Sequence, residues 1–84
     1  MNVSFKPVAG GQYEYWQAAD KGMFKKIDRL IEKCLRDPFD GAGKPEPLTG
    51  DLSGFWSRRI DREQRLVYRA TATSLEILQC RYHY

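Results

Sequence analysis

The chain is poor in the residues on which most enzyme classes depend. It has one histidine, His83, which excludes any mechanism that needs two imidazoles in one subunit. Its two cysteines, Cys34 and Cys80, lie 46 positions apart and, with a single histidine, make no zinc-ligand pattern. Gly43-Lys44 runs into Pro45 rather than Ser or Thr, so there is no phosphate-cradling P-loop. A Gly-x-Ser-x-Gly nucleophile turn is also missing. Neither a cofactor nor a metal is expected. No apolar run exceeds three residues, whereas a membrane span needs about 20 and a secretory leader about 7–15. The reading is a cytoplasmic chain that meets no membrane and keeps its thiols free.

What is present suits one small domain over residues 1–84. A chain of this length buries only about 60–65% of its unfolded surface, which leaves no room for a second core. The 14 basic and 11 acidic residues leave a net charge of +3. The basic residues are unevenly spread: six of eight arginines follow residue 57, while five of six lysines precede residue 34. Lysines along a helix mostly solvate it. Arginines along strands offer rigid donor forks suited to phosphate, or a solvent-facing charged side of a sheet.

Residues 2–6 read as a short strand that Pro7 ends. Residues 8–18 read as a first helix, with Gly10-Gly11 weakening its first turn. Asp20 is a good N-cap for a second helix running to about Arg36. In that helix Met23, Phe24, Ile27, Leu30, Ile31, Cys34 and Leu35 form one apolar stripe. The stripe reads as core, and Cys34 as a small hydrophobe within it. Residues 38–51, rich in proline and glycine, read as a loop of about fourteen residues, near the upper limit for a structureless connection. Three strand-like runs follow, at 54–60, 65–70 and 75–82, joined by turns at 61–64 and 71–74. The expected fold is α+β, in the order β-α-α-β-β-β. Two N-terminal helices lie on one face of an antiparallel sheet, and the other face is left open and carries arginines.

An ordered set of motifs spans nearly the whole chain. It comprises Tyr13-x-Tyr15-Trp16, Lys25-Lys26-Ile27, Gly43-Lys44-Pro45-Glu46-Pro47-Leu48 and Leu52-Ser53-Gly54-Phe55-Trp56-Ser57-Arg58-Arg59-Ile60. Arg65-Leu66-Val67-Tyr68 and Cys80-Arg81-Tyr82-His83-Tyr84 complete it. In these the sequence resembles the YoeB branch of the RelE-like bacterial toxins. The resemblance implies a RelE-like microbial ribonuclease fold and a ribosome-dependent mRNA endoribonuclease of a type II toxin–antitoxin module. Such a toxin cleaves translated mRNA at the ribosomal A site. Its implied partners are mRNA and the ribosome, a second copy in a homodimer, and a partly disordered, YefM-like antitoxin. Family roles fall on Glu46 as general base, Arg65 as phosphate stabiliser, His83 as general acid and Tyr84 as its support. Lys44 and Arg59 match RNA-contacting positions. Thr49 stands where close relatives tend to carry lysine, and Gly10-Gly11 stands where they carry better helix formers.

The residues support such chemistry without the family. Metal-independent RNA cleavage uses the 2′-OH as internal nucleophile. It requires a base, an acid for the leaving 5′-oxygen, and cations against the charge on phosphorus. Glu46 is boxed between two prolines, which restrict its backbone, though it also reads as an ordinary loop carboxylate. The ordinary pKa of His83, near 6.5, suits either proton role, though a residue so near the chain end can equally be a frayed tail. Arg59 and Arg65 flank a hairpin turn and would grip one phosphate if they share a face, and cross-strand pairing with acids is the plainer fate of Arg62 and Arg69. Of Phe55 and Trp56, one is expected in the core. The competing reading is a non-catalytic inhibitor on the same fold, either a ribosome or RNA binder or a topoisomerase-blocking toxin. Such a binder would not need Glu46 and His83.

Overall fold

The computed structural model describes residues 1–82. Strand β1 (Asn2–Phe5) leads through Lys6 into helix α1 (Pro7–Ala19), with Pro7 at its first turn, where a missing N–H costs nothing. Both Gly10 and Gly11 lie inside α1, so the weak glycine pair does not delay the helix start. Helix α2 (Lys21–Arg36) begins as its sequence predicts: the Asp20 carboxylate accepts the Met23 N–H at 3.0 Å. Its apolar stripe buries Ile27, Leu30, Ile31 and Cys34.

The loop expected over 38–51 is not structureless. It contains a two-residue strand, β2 (Glu46–Pro47), and a 3-10 turn (Gly50–Leu52). Strands β3 (Trp56–Arg59), β4 (Arg65–Ala70) and β5 (Ser74–Gln79) form the expected antiparallel meander. The last strand is shorter than its sequence suggests. Tyr82 has a left-handed backbone (φ 68°) that no strand accommodates, and pairing stops at Gln79.

The α+β fold with both helices packed against the sheet is as expected. The sheet order is β1-β5-β4-β3-β2, with β4 central. One pairing departs from a wholly antiparallel sheet: β1 runs parallel to β5, with Asn2 opposite Ser74 and Phe5 opposite Ile77. The two helices return the chain so that β1 lies beside the last strand, not the next one.

The core lies between the helices and one sheet face, with Ala9, Trp16, Ile27, Cys34, Leu66, Tyr68, Leu75, Ile77 and Cys80 at its centre. Phe5, Tyr13 and Phe24 stack at its margin with centroids 4.6 and 4.7 Å apart. Trp16 Nε1 donates to the Cys80 carbonyl at 2.9 Å, and the Cys80 N–H donates to Gln12 Oε1 at 2.9 Å, which ties α1 to the chain beyond β5. Cys34 and Cys80 are free, buried thiols. Among the described residues, no helix is long and apolar enough to cross a membrane.

Candidate functional site

In an antiparallel ladder, residues directly opposite one another project on the same face. Glu46 is opposite Ser57, and Ser57 is opposite Val67. Arg59 is opposite Arg65. Two residues along each strand restores the face, so Glu46, Arg59 and Arg65 share the side of the sheet away from the helices. The carboxylate row and the arginine row are about 7 Å apart along β3. The geometry required of the two arginines is therefore met, and the proline-boxed glutamate joins them because the loop that carries it is stitched to β3 as a strand. Glu46 and Arg59 are exposed, and Arg65 is half-buried.

Arg65 is aimed by the hairpin turn. Asp61 Oδ1 accepts the N–H groups of Glu63 (2.8 Å) and Gln64 (2.7 Å), which curls the turn. Arg65 Nη1 then donates to the carbonyls of Asp61 (2.9 Å) and Gln64 (3.1 Å). Among the described residues, its other two guanidinium nitrogens meet no acceptor, and Arg59 has no ion pair. The salt bridge formed among the described residues is Arg69–Glu76, 2.6 Å, which holds the Glu76 carboxyl below its ordinary pKa. That is the cross-strand pairing foreseen for Arg69. Its guanidinium also lies 4.9 Å from the Phe55 ring centroid, while Trp56 packs against the core and, at 4.9 Å, against Phe39.

The residue that sequence reading misplaces is Arg58. It was expected in an arginine-bearing strand with an open face, yet it is fully buried on the core side. Its Nε donates to Tyr68 Oη (3.0 Å), Nη1 to the Ala42 carbonyl (3.0 Å), and Nη2 to the carbonyls of Asp40 (2.9 Å) and Asp37. Tyr68 Oη in turn donates to the Pro38 carbonyl at 2.5 Å. Asp37 is the C-cap of α2, so the guanidinium sits at the negative end of that helix. One side chain thus gathers residues 37–42 over the core. Gly43 continues the stitching, since its carbonyl accepts the Arg59 N–H at 2.7 Å. A Cβ at Gly43 would stand 2.9 Å from the Arg59 carbonyl oxygen, and its φ is +83°. Lys44 follows, exposed and itself left-handed (φ 51°), separated from β2 by Pro45. The signal for Arg58 was its position: alternation from Trp56 puts it on the core face.

His83 and Tyr84 lie outside the described residues. The chain just before them is firmly held. The Tyr82 carbonyl accepts from the Arg65 N–H (3.1 Å) and from Gln79 Nε2 (3.1 Å), and its N–H donates to Gln64 Oε1. The Arg81 guanidinium stacks 3.6 Å from the Tyr15 ring centroid and 4.5 Å from that of Tyr82. Among the described residues, no cluster of three or more His, Cys, Asp or Glu is disposed to hold a metal. The face can bind a phosphate between two cations and offer it a nearby carboxylate.

This fold recurs among known proteins. Residues 5–84 match the family model of the YoeB-like toxins of bacterial type II toxin–antitoxin systems. The toxin YoeB of Escherichia coli is 61% identical over 84 residues, covering all of both chains. A YoeB/ParE toxin from Agrobacterium tumefaciens superposes with a TM-score of 0.97 at 48% identity over the whole of both chains. Two Staphylococcus aureus structures, a YoeB dimer and a heterotetrameric YoeB–YefM complex, superpose at 0.93 and 0.92, each 44% identical over 100% of this chain and 98% of theirs. The chain belongs to the YoeB-like toxins.

Proposed function

We propose that this member of the family is a ribosome-dependent mRNA endoribonuclease, acting on translated mRNA at the ribosomal A site without a metal. The observation that carries the reading is the side-by-side pair Arg59–Arg65 with Glu46 on the same helix-free face. Glu46 takes the proton from the 2′-OH, and the 2′-oxygen attacks the adjacent phosphorus. Arg65, with Arg59 beside it, holds the charge that accumulates on the phosphoryl oxygens. His83 gives its proton to the departing 5′-oxygen, leaving a 2′,3′-cyclic phosphate on the upstream fragment. Tyr84 supports His83, and Lys44 contacts RNA at the mouth of the loop. The three bonds to Tyr82 support a role for His83, because they fasten the residue before it to Arg65, Gln64 and Gln79.

The solved S. aureus relatives support a homodimer and a YefM-like antitoxin as partners. An acidic antitoxin segment would cover the arginines of the face. The site of action is the cytoplasm, where ribosomes translate. Primer extension on mRNA from a translation reaction tests the reading. New 5′ ends within codons are expected; stalled but intact mRNA would replace the enzyme with a non-catalytic ribosome binder.

A further inference from the structure

Gln64 closes the turn between β3 and β4, and its main chain completes that turn. Its N–H donates to Asp61 Oδ1 at 2.7 Å. Its carbonyl accepts from the Ile60 N–H at 3.0 Å and from Arg65 Nη1 at 3.1 Å. The turn therefore needs nothing from the Gln64 side chain. That side chain instead reaches a residue 18 positions later, where Oε1 accepts the Tyr82 N–H. Pairing of β5 ends at Gln79, so this N–H lies beyond the ladder. Tyr82 is left-handed (φ 68°), a conformation that a non-glycine residue keeps only where its surroundings over-determine it. The Tyr82 carbonyl is held as well, by the Arg65 N–H and by Gln79 Nε2, both at 3.1 Å. A residue held at its carbonyl alone can pivot about that point. Held at both its N–H and its carbonyl, its main chain has one orientation.

We infer that Gln64 is a positioning residue for RNA cleavage, acting on His83 through the Tyr82 main chain. The inference rests on the cleavage reading, in which Arg65 holds the phosphate and His83 protonates the leaving 5′-oxygen. Gln64 is bonded to both sides of that arrangement. Its carbonyl accepts from the Arg65 guanidinium, and its side chain takes the N–H of the residue that precedes His83. It thereby fixes where the chain departs towards the acid, relative to the cation that grips the phosphate. Positioned proton transfer is sensitive to such placement: a displacement of about 1 Å can cost on the order of 10²-fold in rate.

The variant is Gln64→Met, which keeps the side-chain length and the main-chain bonds of the turn but removes the acceptor. Two mRNAs are compared on programmed ribosomes at saturating toxin, one of them carrying sulfur in place of the scissile 5′-oxygen. In both, Glu46 takes the proton of the 2′-OH, the 2′-oxygen attacks phosphorus, and the bond from phosphorus to the 5′ atom breaks. An alkoxide leaving group needs the proton of His83, whereas a thiolate leaves without one. Gln64→Met should cut the natural linkage at least about tenfold more slowly, and the sulfur linkage within about threefold of the parent rate. His83→Gln should show the same pattern, and Glu46→Gln should be slow on both linkages. An unchanged rate on the natural linkage would overturn the inference. Equal slowing on both linkages would overturn it too, since the side chain would then act through Arg65 or through the turn. Hydrogen exchange at the Tyr82 amide reads the bond itself and needs no cleavage. Gln64→Met should speed it by at least about tenfold, and Gln64→Glu, which restores an acceptor, should return it to the parent rate. A wild-type protein that cuts neither mRNA would sink the cleavage reading and the inference with it. An exchange rate unchanged in Gln64→Met, beside normal wild-type cleavage, sinks the inference alone.

Discussion

Arg58 and Arg59 are neighbours of the same type with opposite fates, and substitution separates them. Arg58→Met leaves the carbonyls of Asp37, Asp40 and Ala42 without their donor inside the fold. Each buried unsatisfied group costs about 1–3 kcal/mol, so the loss should reach about 3 kcal/mol or more. Arg59→Met is exposed and should change stability by less than about 0.5 kcal/mol while weakening RNA cleavage. Urea denaturation beside a cleavage assay tests both, and an equally stable Arg58→Met protein would contradict the buried network. Glu46→Gln should keep the melting temperature and slow cleavage by about 10²–10⁴, the usual worth of a positioned base. The resemblance put Glu46, Arg59 and Arg65 forward as a set and the hairpin spacing brought the two arginines together, but Glu46 reaches their face only through the pairing of β2 with β3. The sequence did not show Arg58 as core, because composition marks arginine as surface and only the strand register assigns its face.

At the scale of elements, α2 was legible in full. Its stripe has a clean period, Asp20 caps it and Asp37-Pro38 stops it, so local physics and tertiary packing agree. β2 was not legible: two residues between prolines carry no periodicity, and the strand exists only because β3 is there to pair with. The parallel partnership of β1 was hidden for the same reason, since Asn2 and Ser74 meet through the global path of the chain. The glycines make the contrast testable. Gly11 lies inside α1 with nothing within 4 Å of an added Cβ, so Gly11→Ala should stabilise by roughly 0.5–1 kcal/mol. For a domain of this size that raises the melting temperature by several degrees, at about 4–8 °C per kcal/mol. Gly43→Ala should do the reverse, by about 1–3 kcal/mol, because it is left-handed and its Cβ would press on the Arg59 backbone. It should also lower cleavage, since Glu46 follows three residues later. Calorimetry on the two variants checks the opposite signs.

The whole molecule responds to alkali through groups that the site does not use. Burial pushes the Cys80 thiol up to about 12 and the Cys34 thiol up to about 11, the latter against the opposing pull of the Arg58 guanidinium. Burial likewise pushes the Tyr68 hydroxyl up to about 12. The folded state therefore holds these protons more tightly than the unfolded state does. Stability from this source is full below the thiols' ordinary value of 9.0 and falls as pH rises from there towards about 12. Urea midpoints should hold level from neutrality to about pH 9 and then decline. A Cys34→Ala/Cys80→Ala protein should decline less steeply, whatever its absolute stability, and an unchanged slope would remove the thiols from the account.

The pairing of the first strand with β5 also has a meaning in time. During synthesis, residues 2–5 leave the ribosome early and have no sheet partner until residues 74–77 have emerged. The contacts that hold Tyr82 against Arg65 come later still. The nascent polypeptide thus holds both helices before the sheet can close, and the bond from Arg65 to Tyr82 forms only after that.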